Sequence, residues 1–505
     1  MTGLLPSYWA ERQPDRLAIS SAVGDLSFFE LNARSNQLVR AFRARGLAAG
    51  DAVALMCSNR PEFAEVMAAT RRAGLRLTTV NWHLTSDEAA YIVDDCEAKA
   101  FVADARFADT AASAARNAPK ATARFSVGGD VEGFEAYESA LEGEATHDID
   151  APSPGTSMLY TSGTTGRPKG VYRPPTAVAT SAGAIAGGYQ AGSDLHLTTG
   201  PLYHAAPLAF SLALPLAQGV GCVLMDGWNA AETLHLVSKH RITHTHMVPT
   251  MFHRLLSLPD DVRARHDISS LRFVIHGAAP CPVVVKQRMI EWLGPILWEY
   301  YAATEGMGAV VDSKQWLEKP GTVGRPDDPE HCQIRNDDGE LLSTGEIGSI
   351  FLKAPEGGRF TYYKDEAKTD ATYRGDYFTL GDVGYLDEDG FLYLTDRSSN
   401  LIISGGVNIY PAEAEAELLS HPSVGDVAVI GVENTEWGEE VKAVVELHGG
   451  YTASPSLEQE LIAHCRERLT HFKCPRSVDF IERLPRHDNG KLYKRALRET
   501  YRRTD

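Results

Sequence analysis

A chain of 505 residues predicts roughly two to four structural units with a sizeable buried core. Asp and Glu number 67 and Lys and Arg 49, and the net charge of −18 argues against a protein that binds nucleic acid through its phosphates. Apolar residues make up 43% of the sequence and charged residues 23%, which is typical of a globular protein and excludes wholesale disorder.

The cysteines and the N-terminal residues indicate a cytoplasmic protein. The seven cysteines are scattered without C-x-x-C spacing, which fits a reducing compartment better than a disulfide framework or a cysteine-based zinc site. Residues 1–12 have neither a basic nor an apolar signal region, so we expect no secretory signal. Residues 205–225 carry no charge but contain two prolines. They predict a buried helix, a turn at 218–219 and a strand over 222–225 rather than a membrane span.

The first third of the chain alternates strands with helices. Ser27 and Glu30 have the spacing of a capping box, which opens a helix that Gly46 ends. A second helix is predicted after residue 58, with Asn59 as its cap and Pro61 in its first turn. The remaining predictions in this part are strands over 53–57, 77–80 and 100–103 and a helix over 86–95.

The same alternation returns later and predicts an α/β fold of mostly parallel sheets covered by helices. Residues 321–391, rich in Gly, Asp and Pro, predict a β-rich subdomain. The polar residues 397–400 lie between apolar runs and predict a hinge between an N-terminal domain over 1–396 and a C-terminal domain over 401–505. Strands are predicted over 243–248, 271–275 and 296–300, and helices from Glu232, Thr250 and Pro282.

The strongest chemical signal is the segment YTSGTTGRPKG over residues 160–170. Its glycines let backbone N–H groups approach an anion, its hydroxyls add donors, and its lysine adds charge, which together predict a phosphate-binding loop. The order of residues differs from a Walker A motif and argues against an ordinary P-loop ATPase. The candidate phosphate ligands are Thr161, Ser162, Gly163, Thr164, Thr165, Gly166 and Lys169.

This segment resembles the signature loop of the ANL superfamily of adenylate-forming enzymes, which includes acyl-CoA synthetases. Further motifs follow in the family's order over about residues 159–495. The resemblance implies a large N-terminal AMP-binding α/β domain with a β-rich subdomain, and a small α+β C-terminal lid that reorients between two reaction steps.

Two of these motifs resemble the adenine and metal sites of the family. In YYAATEG over 300–306, the resemblance implies that Glu305 binds Mg²⁺ together with Thr161, and that Tyr301 packs on adenine. Mg²⁺ prefers oxygen ligands and usually shares them with phosphates. The segment GAAP over 277–280 matches the adenine-edge segment. The other nucleotide-binding residues implied by these two motifs are Tyr300, Ala302, Thr304, Gly277, Ala278 and Ala279.

The next motifs resemble the ribose site and the lid. Asp382 matches the aspartate that holds both ribose hydroxyls, and a carboxylate can accept two hydrogen bonds from a diol. Arg397 matches an arginine that contacts ribose or phosphate. In the lid, Gly405 and Gly406 match the glycines along the route of the CoA thiol. Lys491, after Asn489 and Gly490, matches the catalytic lysine that neutralises charge on the carboxylate and the α-phosphate.

The hinge departs from the family pattern. The family usually has Asp or Lys two positions after the arginine, followed by an acidic residue, whereas this chain has Ser399 and Asn400. We therefore expect Ser399 and Asn400 to form a neutral, flexible hinge.

The acyl pocket is predicted around His204, in the segment PLYHAAP over 201–207. This residue matches a family position that orients the carboxylate or gates the acyl tunnel, and a histidine satisfied inside the core is the alternative. With Met247 and Met307, it predicts an apolar pocket for a fatty or aryl-aliphatic acid. His244 and His246 alternate along one strand, and no third ligand indicates a metal site.

The motifs together predict an AMP-forming carboxylate:CoA ligase that uses a small carboxylic acid, ATP with Mg²⁺, and coenzyme A. One alternative is a stand-alone adenylating enzyme that transfers the acyl group to a carrier protein or an amine. The other is an inactive homologue that binds nucleotide without turnover. The presence of Lys169, Glu305, Asp382, Arg397 and Lys491 argues against the inactive homologue.

Overall fold

The computed structural model describes residues 5–161, 167–173, 188–355, 357–397, 400–404, 407–486 and 492–501. Within these residues the chain forms five β-sheets, two of them large and mostly or wholly parallel. None of the described helices is long and apolar enough to cross a membrane.

The first large sheet has six strands that all pair in parallel. The helix Phe28–Ala44 begins with the predicted capping box, because Ser27 Oγ accepts the N–H of Glu30 while the Glu30 carboxylate accepts the N–H of Ser27. The strands in sheet order are Glu135–Ala136, Ala123–Val127, Ala98–Asp104, Ala52–Met56, Arg76–Thr79 and Thr156–Ser157, and the other helices are Pro61–Arg72, Ser86–Asp95, Ala108–Asn117 and Tyr137–Leu141.

The predicted cap at Asn59 is wrong. The helix Pro61–Arg72 has Arg60 at its cap position, with no side-chain bond. The buried amide of Asn59 instead donates to the carbonyls of Gly200 and Met225, at 2.9 Å each, and accepts the N–H of Leu202 at 2.9 Å. Asn59 therefore connects the first sheet to the second instead of opening a helix.

The second large sheet has eight strands, with antiparallel pairs at its two edges and parallel pairs between them. The predicted alternation of strands and helices is confirmed here. The strands in sheet order are Gly306–Asp312, Leu297–Ala303, Phe273–His276, His244–Met247, Leu195–Thr198, Gly221–Leu224, Leu17–Ser21 and Gly24–Ser27, and the helices are Leu5–Arg12, Ala230–His240, Pro249–Leu256, Asp260–Ala264, Val283–Leu293 and Ser313–Glu318.

The uncharged stretch over 205–225 forms a largely buried helix and a strand, as predicted. The helical turns Ala205–Leu208, Ala209–Ala213 and Leu214–Ala217 follow one another, with the middle one wound as a π-helix. After the turn at Gln218, the strand Gly221–Leu224 enters the eight-stranded sheet.

Two antiparallel sheets form the β-rich part of the chain. In the smaller one, Lys169–Tyr172 pairs with Leu159–Thr161 on one side and with Thr361–Tyr362 on the other, so that its first two strands flank the predicted phosphate-binding segment. The helix Glu366–Thr372 follows directly. The larger sheet contains Cys332–Arg335, Gly348–Lys353, Tyr373–Arg374, Tyr377–Leu386 and Leu392–Arg397.

The C-terminal part has a sheet and a hydrophobic core of its own. Strands and helices both occur here, so the predicted α/β fold with a small α+β C-terminal part is confirmed. The limits predicted for its domain stay a prediction, and Ser399 lies outside the described residues. The strands are Ile402–Ser404, Val407–Ile409, Val424–Asn434, Gly438–Leu447 and Ser477–Ile481, and the helices are Pro411–Leu419, Pro455–Arg466 and Lys494–Thr500.

Hydrogen bonds connect the end of the last β-rich strand to the C-terminal part. The carboxylate of Asp396 accepts from the side chain of Asn400 at 3.0 Å and from the N–H of Ala412 at 3.2 Å. The guanidinium of Arg498 donates to the carbonyl of Asn400 at 2.9 Å. These bonds join the two parts across the predicted hinge in this conformation.

Candidate active site

A cavity of about 1990 Å³ lies at the carboxyl ends of the parallel strands of the eight-stranded sheet. Residues of the C-terminal part, including Glu413, Arg486 and Tyr493, close its other side. In α/β sheets, ligands bind at this edge, because the loops after the strands meet there. The sequence-predicted residues that line the cavity are Thr161, His204, Ala278, Ala279, Tyr300, Tyr301, Ala302, Thr304 and Asp382.

The predicted adenine and ribose residues lie next to one another. The hydroxyl of Tyr301 donates to Oδ2 of Asp382 at 2.7 Å, and both side chains are buried. Asp382 pairs with Arg397 across two antiparallel strands, which brings both predicted ribose residues to the same place.

The adenine-edge segment lies against Tyr300. A Cβ on Gly277 would lie 2.6 Å from the carbonyl oxygen and 2.7 Å from the ring of Tyr300, so only glycine fits there. The following residue, Ala278, has a φ of 68°, a strained conformation for a side chain with a Cβ. The segment thus presents backbone and small side chains to the cavity.

Glu305 was predicted as a ligand of Mg²⁺, and its contacts show how its side chain is held. Its Oε1 accepts the hydroxyl of Tyr362 at 2.9 Å, and its carbonyl oxygen accepts a hydrogen bond from Arg173. No group of three or more His, Cys, Asp or Glu that could hold a metal occurs among the described residues. A Mg²⁺ ion at Glu305 would therefore take most of its oxygens from phosphates and water, as this ion commonly does.

Lys169 forms an ion pair with Asp365, with 2.9 Å between Nζ and Oδ2. The hydrogen bond between them raises the pKa of Lys169 and lowers the pKa of Asp365. Asp365 also caps the helix Glu366–Thr372 through the N–H of Lys368. Sequence reasoning missed this ion pair because Asp365 belongs to no motif.

Several predicted residues lie outside the described part of the chain. Arg486 and Leu492, which precede and follow Lys491 in the sequence, both line the cavity and pair as an isolated antiparallel bridge. Arg486 also forms a bidentate ion pair with Asp426, at 2.5 and 2.6 Å. The side chain of Arg397 is not described either. The predicted residues outside the described ranges are Ser162, Gly163, Thr164, Thr165, Gly166, Ser399, Gly405, Gly406 and Lys491.

The aromatic residues His204 and Tyr300 both line the cavity. We call them, together with His246 and Phe210, which pack against Tyr300, the acyl wall. The hydroxyl of Tyr300 lies 2.8 Å from Nε2 of His246, and its ring centre lies 4.9 Å from that of Phe210. Burial lowers the pKa of His246 to about 4, so this histidine is neutral at pH 7. His246 was predicted only as a residue on one face of a strand.

The structure does not place Met247 at the cavity. Neighbouring side chains on a strand point to opposite faces. Because His246 faces Tyr300, Met247 faces the other side and packs with Met251 and Phe252. Met307 packs against the cluster that contains Tyr300 but is not among the described residues that line the cavity.

Residues around Glu305 were also missed by sequence reasoning. The ammonium of Lys368 lies 4.2 Å from the ring centre of Tyr362, whose hydroxyl binds Glu305. Burial lowers the pKa of Lys368, and the charge of Glu305 opposes this shift. Arg173, Tyr362 and Lys368 lie outside the recognised motifs. The pairing of Val171 with Tyr362 and the hydrogen bonds to Glu305 bring them together.

Models of known families match both the N-terminal and the C-terminal part of the chain. The model of the AMP-binding enzyme family matches residues 7–363, and that of the AMP-binding enzyme C-terminal domain matches residues 413–491.

The similarity to named relatives extends over nearly the whole chain. A 2-succinylbenzoate–CoA ligase of Bacillus licheniformis is 33% identical, over 97% of this chain and 98% of its own. An indoleacetate–CoA ligase of Aromatoleum aromaticum is 32% identical, over 98% and 97%. A long-chain-fatty-acid–CoA ligase of Mycobacterium tuberculosis is 31% identical, over 95% and 94%.

Solved structures share the fold. The 2-succinylbenzoate CoA synthetase of Bacillus subtilis in complex with its acyl-adenylate intermediate has a TM-score of 0.81 at 28% identity and covers 100% of this chain and 99% of its own. An amide bond synthetase from Marinactinospora thermotolerans has a TM-score of 0.84 at 25% identity and covers 99% and 100%.

The chain therefore belongs to the AMP-binding enzyme family, within the adenylate-forming superfamily that its motifs resemble. It is an acid–thiol ligase of the AMP-forming type. Enzymes of this class take a small carboxylic acid, ATP and coenzyme A as substrates.

Proposed function

We propose that this enzyme converts a compact aryl or aryl-aliphatic acid into its CoA thioester through an acyl-adenylate. The observation that carries the choice of acid is the acyl wall, in which Tyr300 hydrogen-bonds to His246 at 2.8 Å and packs on Phe210. A flat aromatic acid can stack on such a wall. The ring of Tyr300 is buried and is therefore held in place as one face of this wall.

In the first half-reaction, a carboxylate oxygen attacks the α-phosphorus of ATP. The bond from this phosphorus to the β-phosphate oxygen breaks, and pyrophosphate leaves. In our assignment, Asp382 and Arg397 bind the ribose, residues 277–279 and Tyr301 bind adenine, and residues 161–169 bind the phosphates. Lys491 neutralises the charge that develops as the carboxylate and the α-phosphate combine.

In the second half-reaction, the CoA thiol attacks the acyl carbon and AMP leaves. We assign the route of the thiol to Gly405 and Gly406, with rotation of the C-terminal part about Ser399. His204 lines the cavity beside Tyr203, with 4.4 Å between ring centres, and we assign it the orientation of the carboxylate.

Glu305 and Thr161 are the residues that would hold Mg²⁺. The ion would neutralise part of the phosphate charge when bound. Glu305 suits this role because the hydroxyl of Tyr362 occupies only its Oε1, and no described residue donates a hydrogen bond to its Oε2.

The aromatic substrates in the names of two relatives support the proposed acid. Two of the three named relatives are ligases for 2-succinylbenzoate and indoleacetate, whereas the third is a ligase for long-chain fatty acids. Similarity alone therefore leaves both kinds of acid open, and the acyl wall favours the aromatic one.

The proposal is tested by pyrophosphate release with benzoates, indoleacetate, acetate, octanoate and palmitate, with and without CoA. We expect the highest kcat/KM with an aryl acid, and thioester only when CoA is present. A preference for palmitate or acetate would contradict the proposal. Tyr300→Ala should shift the preference toward longer acids, whereas Phe29→Ala, which truncates an exposed ring, should not.

A second candidate is transfer of the acyl group to an amine. It is favoured by the likeness to the amide bond synthetase, at a TM-score of 0.84. Replacing CoA with a panel of amines in the same assay separates the two functions. We expect thioester to form much faster than amide, and the reverse order would favour the second candidate.

A further inference from the structure

Three cationic side chains lie at the exit of the predicted phosphate-binding segment or beside Glu305, and we call Lys169, Arg173 and Lys368 the cationic cluster. The strand Lys169–Tyr172 leaves that segment and pairs with Thr361–Tyr362, so that Val171 lies opposite Tyr362. The helix Glu366–Thr372, which carries Lys368, begins a few residues later. Backbone pairing therefore holds Lys368 beside the segment that the sequence assigns to phosphates.

The three cations differ in their partners. Lys169 pairs with Asp365 at 2.9 Å. Arg173 donates to the carbonyl oxygen of Glu305 and lies over the ring of Phe360. Among the described residues, no carboxylate oxygen lies within 4.0 Å of the ammonium of Lys368, which rests on the ring of Tyr362.

Two carboxylates lie in direct contact with the residues of this region. Lys169 pairs with Asp365, and Arg173 and Tyr362 bond to Glu305, while Asp95 acts on Lys169 from a greater distance. Lys368 is half-buried on an aromatic ring, where a cation interacts more strongly with an anion than it would in open water. Tyr362 contacts both Lys368 and Glu305, so this cation lies next to the carboxylate assigned to Mg²⁺.

We propose that Lys368 binds the β- and γ-phosphates of ATP and the pyrophosphate formed from them. This inference rests on the proposed assignment of the neighbouring loop and Glu305 to ATP. Lys169 exchanges Asp365 for a phosphate oxygen when ATP binds, and Asp365 stays at the cap of the helix that carries Lys368.

The role of Lys368 follows from how charge moves during adenylation. As the carboxylate oxygen bonds to the α-phosphorus, the electron pair of the breaking bond goes to the oxygen of pyrophosphate. A fixed ammonium beside this oxygen stabilises the charge that develops on it. Lys368 therefore serves the adenylation step, while the attack of the CoA thiol takes place after pyrophosphate has formed.

The test measures the binding of ATP, pyrophosphate and AMP, each with Mg²⁺ and without carboxylate, by titration calorimetry on the full-length protein. Lys368→Gln should weaken ATP and pyrophosphate binding about tenfold or more, since a hydrogen bond to a charged group is lost. AMP lacks both outer phosphates, so its affinity should stay within about twofold. Lys368→Arg should restore most of the loss.

The matched control is Lys353→Gln, which removes a lysine that pairs with Glu330 at the surface of the same subdomain. It should leave all three affinities unchanged. In steady-state assays, Lys368→Gln should raise the KM for ATP and leave the KM for the carboxylate unchanged.

Two results would overturn the inference about Lys368. One is unchanged binding of ATP and pyrophosphate in Lys368→Gln, and the other is an equal loss for AMP, which would indicate a structural role. If the parent protein bound neither ATP nor pyrophosphate, the proposed function itself would fail, and the inference with it.

Discussion

Lys286 and Glu299 form an ion pair inside the core, beneath the adenine-edge segment. Their side chains are buried, and Nζ lies 2.5 Å from Oε2. Burial raises the pKa of Glu299, and the charge of Lys286 opposes this shift. The same carboxylate oxygen lies 3.7 Å from Nε2 of His276, whose pKa is lowered by burial. Glu299 also lines the cavity, so the pair supports one side of the site.

We expect Lys286→Met to reduce the free energy of unfolding by about 3–5 kcal/mol, because it leaves the carboxylate of Glu299 buried without its partner. Urea unfolding measures the change. Lys286→Met combined with Glu299→Gln should recover most of the loss, since no unpaired charge remains. Lys239→Met, at an exposed position, is the control, and an equal loss in that variant would contradict the explanation.

His246 makes the stability of the protein depend on pH. Its folded pKa is about 4 because burial favours the neutral ring, whereas an unfolded histidine has a pKa of about 6.5. Between these values the unfolded chain binds a proton that the folded chain does not, so stability falls as the pH is lowered. Below the folded pKa the loss from this residue reaches about 3 kcal/mol.

This effect is measured by urea unfolding of the parent and His246→Gln at several pH values between about 4 and 7. The slope of stability against pH should be smaller in His246→Gln by up to about 1.4 kcal/mol per pH unit. The pKa values of buried His196 and His276 are also lowered, so these residues should contribute to the slope of stability against pH in both proteins. Equal slopes would show that His246 is not held neutral.

At the scale of secondary structure elements, Asn59 joins the two large sheets. Its three hydrogen bonds reach Gly200, Leu202 and Met225, which belong to the neighbouring sheet and its loops. We expect Asn59→Ala to lower the free energy of unfolding by about 3 kcal/mol, because buried backbone groups lose their partners. Asn117→Ala, which removes an exposed hydrogen bond, should change it by no more than about 0.5 kcal/mol. Similar losses in both variants would contradict this role.

Local sequence patterns predicted the elements but not the contacts between distant parts. The helix Ser86–Asp95 and the capping box of Phe28–Ala44 follow from neighbouring residues, and both were predicted. The role of Asn59 depends on partners 141 and 166 residues away, which no local pattern contains. Its cap-like position before Pro61 therefore led to a wrong prediction.

In the candidate site, too, residues within motifs were predicted, whereas contacts between distant parts of the chain were not. Tyr301 and Asp382 could be placed together because both belong to motifs, and they share a hydrogen bond. Met247 was misplaced because its hydrophobic character gives no information on which face of the strand it occupies. Lys368 was missed because it lies next to Glu305 through the ring of Tyr362, and no local pattern connects these residues.

At the scale of the whole molecule, the C-terminal part closes the cavity with the chain around Arg486 and Leu492. We expect Lys491→Ala to reduce pyrophosphate release from carboxylate and ATP by about 10²- to 10³-fold, since one preorganised charge is lost. With preformed acyl-adenylate and CoA, the same variant should form thioester near the parent rate. An equal loss in both half-reactions, in a folded variant, would show that Lys491 is not specific to adenylation.

The separate core of the C-terminal sheet has a consequence for how such enzymes diversify. The acyl wall comes from the eight-stranded sheet and its loops, while the C-terminal sheet packs its own residues, among them Ile402, Val429 and Leu461. Mutations that reshape the acyl wall therefore leave the packing of the C-terminal sheet intact. If the acyl wall selects the acid as proposed, substitutions at a few wall positions can change the accepted acid, and a gene hybrid joined at residues 397–400 would inherit its substrate from the N-terminal parent.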